Sequence, residues 1–383
     1  MFSGNALILH DKAQRTLVTA MQTNRSFYPE EVSAYASEAI NLLEKLIAIP
    51  SFSREEKPAA DALEQFIKAK GLVCRRKGNN IWLIAEGYDA TRPTLLLNAH
   101  IDTVRPTTGW TRQPFEPTHE NGCLYGLGSN DCGGGLVALL QTFRLLSRRD
   151  QPYNLIYLAS CEEEVSGKQG IEMALPLLPP IDVAIVGEPT GMQPAIAEKG
   201  LMVLDVTAHG IGGHAARNEG VNAIYEALND IEWFRNFRFK KVSPMLGAVK
   251  MTVTIIQAGT QHNVVPAECR FTVDVRSNEH YSNREIFDEI CQNVKSEVQA
   301  RSFRLNSSHI DPCHPLVRSA IGLGRIPYGS PTLSDQALMP FPSLKMGPGD
   351  SARSHTADEY IKPAEVHEAI RLYLNMLDGL HLR

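Results

Sequence analysis

The sequence predicts an α/β protein: a mostly parallel sheet with helices on both faces, carrying an inserted ferredoxin-like α+β domain. Three observations lead there. Short continuous apolar runs alternate with helical patterns through the first half of the chain, as expected of strands buried on both faces. Around Pro194 the runs change to two-face alternation, as in residues 201–208, which marks strands with one wet face. From Pro312 the first pattern returns. The second unit therefore reads as an insertion. The expected division is an N-terminal extension at 1–26, a main domain in two parts at 27–193 and 307–383, and an insert at 194–306.

In order, Leu42, Leu43, Leu46 and Ile47 recur at helical spacing in 38–49, and Pro50 stops that helix. A second helix starts after Ser53, puts Ala62, Leu63, Phe66 and Ile67 on one face and ends at Gly71. Strands follow at 80–85 and 94–99. A loop rich in Pro and Thr leads to a Gly-rich segment, 126–135, and a helix from about Gly134 to Arg149 turns Leu136, Leu139, Leu140, Phe143 and Leu146 inward. Residues 153–159 and 182–186 read as buried strands. The insert runs strand 201–208, helix 223–233, strands 249–256 and 268–276, helix 283–298 and a weak strand near 303–306, which is the ferredoxin-like order. A helix at 315–322, a strand at 343–346 and a helix at 363–377 close the chain.

Composition narrows the classes. Of 383 residues, 43% are apolar and 21% charged, as in soluble globular proteins. A net charge of −5 without a basic block argues against nucleic acid. No run approaches the ~20 apolar residues of a membrane span. The apolar piece at 6–9 is too short for a signal-peptide core, and Met21 is an alternative start. Seven cysteines without a Cys-x-x-Cys pair argue for reduced thiols and a cytoplasmic location.

The chemistry begins at residues 94–102, Thr-Leu-Leu-Leu-Asn-Ala-His-Ile-Asp. An apolar strand ends in His100 and Asp102, two positions apart and so on one side. In α/β sheets, chemistry collects beyond the carboxyl ends of strands. An imidazole there can bind zinc while a nearby carboxylate fixes its tautomer. The pattern recurs downstream. Asp131 follows the Gly-rich loop. Glu162, Glu163 and Glu164 follow the strand ending at Ala159. Glu188, in Gly-Glu-Pro-Thr, follows the strand ending at Val186, and His355 follows Gly-Pro-Gly-Asp-Ser-Ala-Arg-Ser. Three adjacent carboxylates beside an apolar strand are costly unless cations neutralise them. Two His plus several carboxylates suit Zn²⁺, with Co²⁺ or Mn²⁺ as alternatives. Two metals bridged by one carboxylate make a site for hydrolysis. Gly126-x-Gly128 opens like a dinucleotide loop, but Asp131 holds the third glycine position and no βαβ strand precedes it. No Gly-x-Ser-x-Gly elbow is present. Cys132 and Cys161 read as small buried filler.

With these motifs in this order, the chain resembles the dinuclear zinc amidohydrolase family that includes acetylornithine deacetylase, succinyl-diaminopimelate desuccinylase, aminoacylase and a glutamate carboxypeptidase. The match runs from about Phe27 to the C-terminus. Residues 347–361, with Ser-His-Thr-Ala-Asp-Glu-Tyr-Ile, are most similar to the acetylornithine deacetylase branch. The resemblance implies a zinc aminopeptidase-like catalytic domain with two divalent ions, Zn²⁺ first and Co²⁺ as alternative. His100 and Glu188 would bind one ion, Glu164 and His355 the other, and Asp131 both. Asp102 would orient His100, and Glu163 would be the general base. The insert would be the dimerisation and lid domain of a homodimer. His214, in Gly-Gly-His-Ala-Ala, would stabilise the oxyanion in the partner's site. Asn263, in His-Asn-Val-Val-Pro, and Arg276, in Asp-Val-Arg, would hold the substrate carboxylate. By pattern alone Arg276 reads as a strand-end surface charge.

A cis peptide after Asp131 is also implied. Gly133, Asn218 and Glu162 stand where relatives commonly have Lys, Pro and Asp, and none of these departures removes a ligand. The implied reaction is hydrolysis of the amide of an N-acyl-L-amino acid, N-acetylornithine or N-succinylornithine, in arginine biosynthesis. Dipeptidase, carboxypeptidase and succinyl-diaminopimelate desuccinylase activity are the alternatives among enzymes. A metal-free scaffold that keeps the fold is the rival outside them.

Overall fold

The computed structural model describes residues 27–383; the expected extension at 1–26 and the alternative start at Met21 lie outside the described residues. Two helices lead in, α1 at Pro29–Ile47 and α2 at Lys57–Ala69. α1 begins earlier than its apolar spacing suggested, because Pro29, Glu30 and Glu31 are residues that suit a helix N-terminus. Then come β1 (Arg75–Lys77), β2 (Asn80–Ile84), β3 (Thr94–His100), β4 (Thr118–Glu120), β5 (Cys123–Tyr125), α3 (Gly134–Leu146), β6 (Asn154–Ser160), α4 (Ile171–Ala174), β7 (Val183–Val186) and β8 (Ala195–Glu198). The middle of the chain gives β9 (Met202–His209), β10 (Gly213–His214), α5 (Ala223–Asn236), β11 (Lys250–Ala258), β12 (Val264–Val265), β13 (Glu268–Arg276), α6 (Asn283–Asn293) and β14 (Glu297–Ala300). The last part holds β15 (Ser308–His309), α7 (Pro315–Gly322), β16 (Tyr328–Ser330), β17 (Ser343–Lys345), β18 (Tyr360–Ile361) and α8 (Pro363–Leu377).

The large sheet has the order β1-β2-β6-β3-β7-β17-β8-β15, with β16 beside β8. Its centre, β6-β3-β7-β17, is parallel, and β2 and β1 extend it antiparallel. β3 and β6 are buried at every position, which explains their uninterrupted apolar runs. One face packs under α1, α3 and α8, through Leu42, Leu43, Leu136, Leu139, Ile370 and Tyr373. The opposite face buries Trp82, Leu96, Ile156, Leu158 and Val186. No helix among the described residues is long and apolar enough to cross a membrane.

The second sheet is β11-β13-β9-β14, antiparallel throughout. Its first and third strands lie inside and its second and fourth at the edges, as in a ferredoxin-like sandwich. β9 alternates buried and half-buried residues up to its exposed end, so one face packs on α5 and α6 through Val206, Phe234, Phe271, Ile286 and Ile290.

Two placements differ from expectation. Residues 195–198, counted with the insert, form β8 of the large sheet, so the small sheet begins at Met202. The helix expected to reach 298 stops at Asn293, and the strand expected near 303–306 is β14 at Glu297–Ala300. The cause is tertiary. Asp230 on α5 accepts the backbone N–H groups of Lys295 (3.2 Å) and Ser296 (2.8 Å), and those donors are lost to the helix.

Candidate metal centre

Three adjacent parallel strands end side by side, and each hands the chain to a ligand-type residue. His100 is the last residue of β3. β6 leads into a tight turn at Glu163–Val165, and β7 ends two residues before Glu188. Asp131 precedes α3, and His355 lies in the loop after β17. The Asp131 carboxylate spans both histidines: Oδ1 is 3.3 Å from His100 Nε2 and Oδ2 is 3.6 Å from His355 Nε2. Glu164 Oε2 is 2.9 Å from His355 Nε2. Glu188 Oε1 and Glu163 Oε2 lie 3.7 and 4.0 Å from His100 Nε2. Asp131, Glu163, Glu164, Glu188 and His355 line one cavity of about 240 Å³.

Buried polar groups hold these loops in place. Asp102 accepts the backbone N–H groups of Glu163 (3.0 Å) and Glu164 (3.2 Å) and the Ser53 hydroxyl (2.7 Å). His100 Nδ1 meets the Asp102 backbone carbonyl at 2.8 Å, while the carboxylate is 3.6 Å away. Asp102 thus touches His100 mainly through its main chain, and its carboxylate shapes the acidic turn. Glu359, buried, accepts from the N–H groups of Gly128, Asn130 and Asp131 at 3.1, 2.9 and 2.9 Å. The Asn130 side chain ties this loop to the His355 loop, donating to the Asp350 carbonyl at 3.0 Å and accepting the Asp350 N–H at 3.0 Å.

Glycines bring the segments close. A Cβ on Gly135 would lie 1.7 Å from the Gly187 carbonyl oxygen, so the start of α3 abuts the turn that carries Glu188. A Cβ on Gly133 would lie 2.4 Å from the Gly128 carbonyl oxygen, so this turn of the loop is closed by glycine. The Asp131–Cys132 peptide is cis.

The electrostatics call for a cation. Burial, with the Asp131 charge adding to it, pushes Glu188 up to about 8. Burial also lifts Glu163 well above the carboxylate range, and Glu188, Asp335 and Glu164 add to the shift against the pull of His100. Glu188 Oε1 is buried with no hydrogen-bond partner, although it faces His100. Acids crowded this way keep protons unless positive charge sits among them. Two imidazoles and several carboxylates are a donor set that divalent zinc, cobalt or manganese accepts, so the residues fit such an ion. Cys132 also lies near His100 and Glu188. Burial raises its thiol to about 12, and its sulfur accepts the His100 N–H at 3.3 Å. His355 is raised to about 9, first by its hydrogen bond to Glu164.

Three expected site residues are not brought to this cavity. His214 is exposed on β10, its Nδ1 accepting the Ala216 N–H at 3.1 Å. Asn263 is exposed beside it, its carbonyl accepting the Ala215 N–H at 3.0 Å. Arg276 ends β13 in a two-point pair with Asp274, at 2.8 and 3.0 Å. None of the three lines the cavity. Glu162 also turns away, accepting the Gln169 N–H at 3.4 Å.

Three residues at the site were not singled out from the sequence: Glu359, Asp335 and Lys345. Glu359 lies inside the motif that carries His355, and that proximity was the available signal. Asp335, buried under the site, accepts from the Ser160 hydroxyl at 2.6 Å and is raised by burial to about 7. Nothing in its spacing, or in that of Lys345, marks it.

Fold and donor set together define the class: a metal-dependent hydrolase built on a mostly parallel α/β sheet. The chain belongs to peptidase family M20/M25/M40, whose family profile matches residues 96–379. It is 28% identical over 349 residues to the acetylornithine deacetylase of Pectobacterium atrosepticum, covering 85% of this chain and 86% of that one. It is 27% identical over 263 residues to the succinyl-diaminopimelate desuccinylase of Delftia acidovorans, covering 63% and 68%. Among solved structures, a dinuclear metal-binding peptidase from the M20 family of Bacillus subtilis superimposes with a TM-score of 0.68 at 16% identity, over 90% of this chain and 98% of that one.

Proposed function

We propose that this enzyme removes the acyl group from an N-acyl-L-amino acid, N-acetylornithine or N-succinylornithine, in the arginine biosynthesis of the cytoplasm. The observation that carries the proposal is the convergence of six side chains from five separate segments at one cavity, His100 beside Asp131 and Glu188, and His355 beside Asp131 and Glu164. The deacetylase and desuccinylase relatives support an acyl amino acid as substrate.

His100 and Glu188 would hold one divalent ion, Glu164 and His355 a second, and Asp131, which reaches both histidines, would bridge them. Zn²⁺ is the first candidate and Co²⁺ the alternative. Such ions polarise the scissile carbonyl and acidify the attacking water when bound. Glu163 stands beside this set, fixed through its main chain by Asp102. Its carboxylate takes the proton of the attacking water and delivers it to the amine nitrogen as the C–N bond breaks. Asp102 keeps His100 and the acidic turn in register.

The unit of the second sheet serves as the dimerisation and lid domain of a homodimer. It exposes Tyr225 and Leu228 on α5 and Ile255 and Ile256 on the edge strand β11, apolar side chains suited to a second copy of the chain. His214, away from its own chain's cavity, would donate to the oxyanion of the partner's substrate. Asn263 and Arg276 would hold the substrate carboxylate, with Arg276 exchanging its Asp274 partner.

A dipeptidase or carboxypeptidase on the same residues is the second reading, favoured by the likeness to an M20 peptidase. Metal-reconstituted protein tested on N-acetylornithine, N-succinylornithine and a dipeptide set separates the two. Cleavage of acyl-ornithines well above dipeptides is expected, and the reverse order would replace the proposal with the second reading.

A further inference from the structure

One wall of the cavity carries a charge that the metal ligands do not use. Lys345, the last residue of β17, lines the cavity and is 3% exposed. Its ammonium donates to the Thr332 carbonyl at 3.1 Å and the Thr332 hydroxyl at 2.9 Å, and lies 3.2 Å from Glu198 Oε2. Glu198 is fully buried, does not line the cavity, and also accepts from the Ser334 N–H (3.1 Å) and hydroxyl (2.8 Å). The pair is therefore oriented, with the carboxylate behind and the ammonium on the cavity side. Burial works against the charge on Lys345, but Glu198 and then Glu188 keep the ammonium protonated. A buried ion pair is a poor device for stability, since apolar side chains of the same volume commonly do as well or better.

What the pair can do is read charge. Among the described residues, Lys345 is the one Lys or Arg that lines this cavity. Thr332 and Ser330, whose hydroxyls lie 3.0 Å apart, line it too. A hydroxyl that accepts from an ammonium is polarised into a stronger donor. With its three N–H groups taken by Thr332 and Glu198, the ammonium acts through the Thr332 hydroxyl, which becomes a donor suited to a carboxylate.

We propose that Lys345, held by Glu198 and acting with the Thr332 hydroxyl, recognises a carboxylate of the substrate and so helps set its specificity. The inference rests on the acyl-amino-acid reading above and deepens it. Two sources can supply the carboxylate: the α-carboxylate of the amino acid, which Lys345 would then share with Asn263 and Arg276, or the far end of a dicarboxylic acyl group such as succinyl.

Lys345→Met alone would leave Glu198 buried without its partner and can fail to fold. The test therefore compares Glu198→Gln with the double variant Glu198→Gln/Lys345→Met, both as full-length, metal-loaded protein. Substrates are N-acetyl- and N-succinyl-amino acids, each with the α-carboxylate free or amidated. The double variant is expected to lose about 10- to 100-fold in kcat/KM, the range for removing a charged hydrogen-bond partner. The loss should fall on KM, with equal metal content in the two variants. A loss confined to succinyl substrates places Lys345 at the acyl end. A loss shared by both acyl groups but absent from the amides places it at the α-carboxylate. Equal losses on all four substrates, or an unchanged KM, would overturn the proposal. If the unaltered protein cleaves no acyl amino acid, the reading of its function fails instead, and calorimetric binding of succinate decides the role of Lys345. Binding by Glu198→Gln but not by the double variant supports recognition, and equal binding by both refutes it.

Discussion

Glu163 and Glu164 are neighbours in sequence and share one anchor, since Asp102 accepts both of their N–H groups, yet their carboxylates lie beside different histidines. Glu164 reaches His355 at 2.9 Å, while Glu163 stands 4.0 Å from His100 and pairs with no histidine more closely. Glu163→Ala is therefore expected to lower kcat by roughly 10²–10⁴, the usual contribution of a general base, with metal content by elemental analysis unchanged. Glu164→Ala should instead lower the bound metal. Loss of metal from Glu163→Ala would mean that base and ligand are exchanged. Glu359 makes a different kind of prediction. Glu359→Ala leaves three backbone N–H groups without an acceptor, which should cost about 3 kcal/mol or more in denaturant unfolding and reduce metal retention. The ligand-type residues were legible because His, Asp and Glu directly after apolar strands are chemically conspicuous. Glu359 and the Asp102 carboxylate work on backbone N–H groups, and such a task leaves no spacing in the sequence. Lys345 is hidden for a related reason: a lone Lys after Ser-Leu in a short strand looks like a solvated end, and its partner Glu198 is 147 residues away.

Elements were readable where burial is uniform and less so where tertiary bonds intervene. β3 and β6, buried at every residue, announced themselves as unbroken apolar runs. α6 begins with a capping box of Ser282 and Glu285, but its end is set by Asp230, a residue on another helix. β8, Ala-Ile-Ala-Glu, is fully buried in the large sheet, yet so short and small a run beside the Pro194 transition reads as the start of the insert. The contact of α3 with the Glu188 turn is the tightest element-level constraint on the site. Gly135→Ala forces a Cβ to within 1.7 Å of a backbone oxygen that no rotamer change relieves. The helix and the turn must separate, so the variant is expected to lose stability and to bind metal less tightly. Calorimetric melting and metal titration check this, and wild-type values for both would show that the turn carrying Glu188 moves freely.

At the scale of the molecule, the strand order β6-β3-β7 sets the acidic turn, His100 and Glu188 side by side, and this arrangement follows from the alternation of helices and apolar strands. What alternation does not encode is whether and how two copies meet. His214 lies on the unit with exposed Tyr225, Leu228 and Ile256, away from its own cavity, so the trans role proposed for it is tested by mixing subunits. Glu163→Ala and His214→Ala should each be nearly inactive. Dimers reassembled from an equal mixture should recover about a quarter of wild-type activity, since half are hybrids with one complete site each. Absence of recovery, with hybrids present by mass spectrometry, would remove His214 from the partner's site.

The account as a whole rests on cations held among His100, Asp131, Glu164, Glu188 and His355, and anomalous X-ray diffraction from metal-loaded crystals tests that most directly. Two anomalous peaks about 3.5–4 Å apart, with the Asp131 carboxylate between them, are the expected result. Fully loaded crystals with no peak among these five side chains would contradict it.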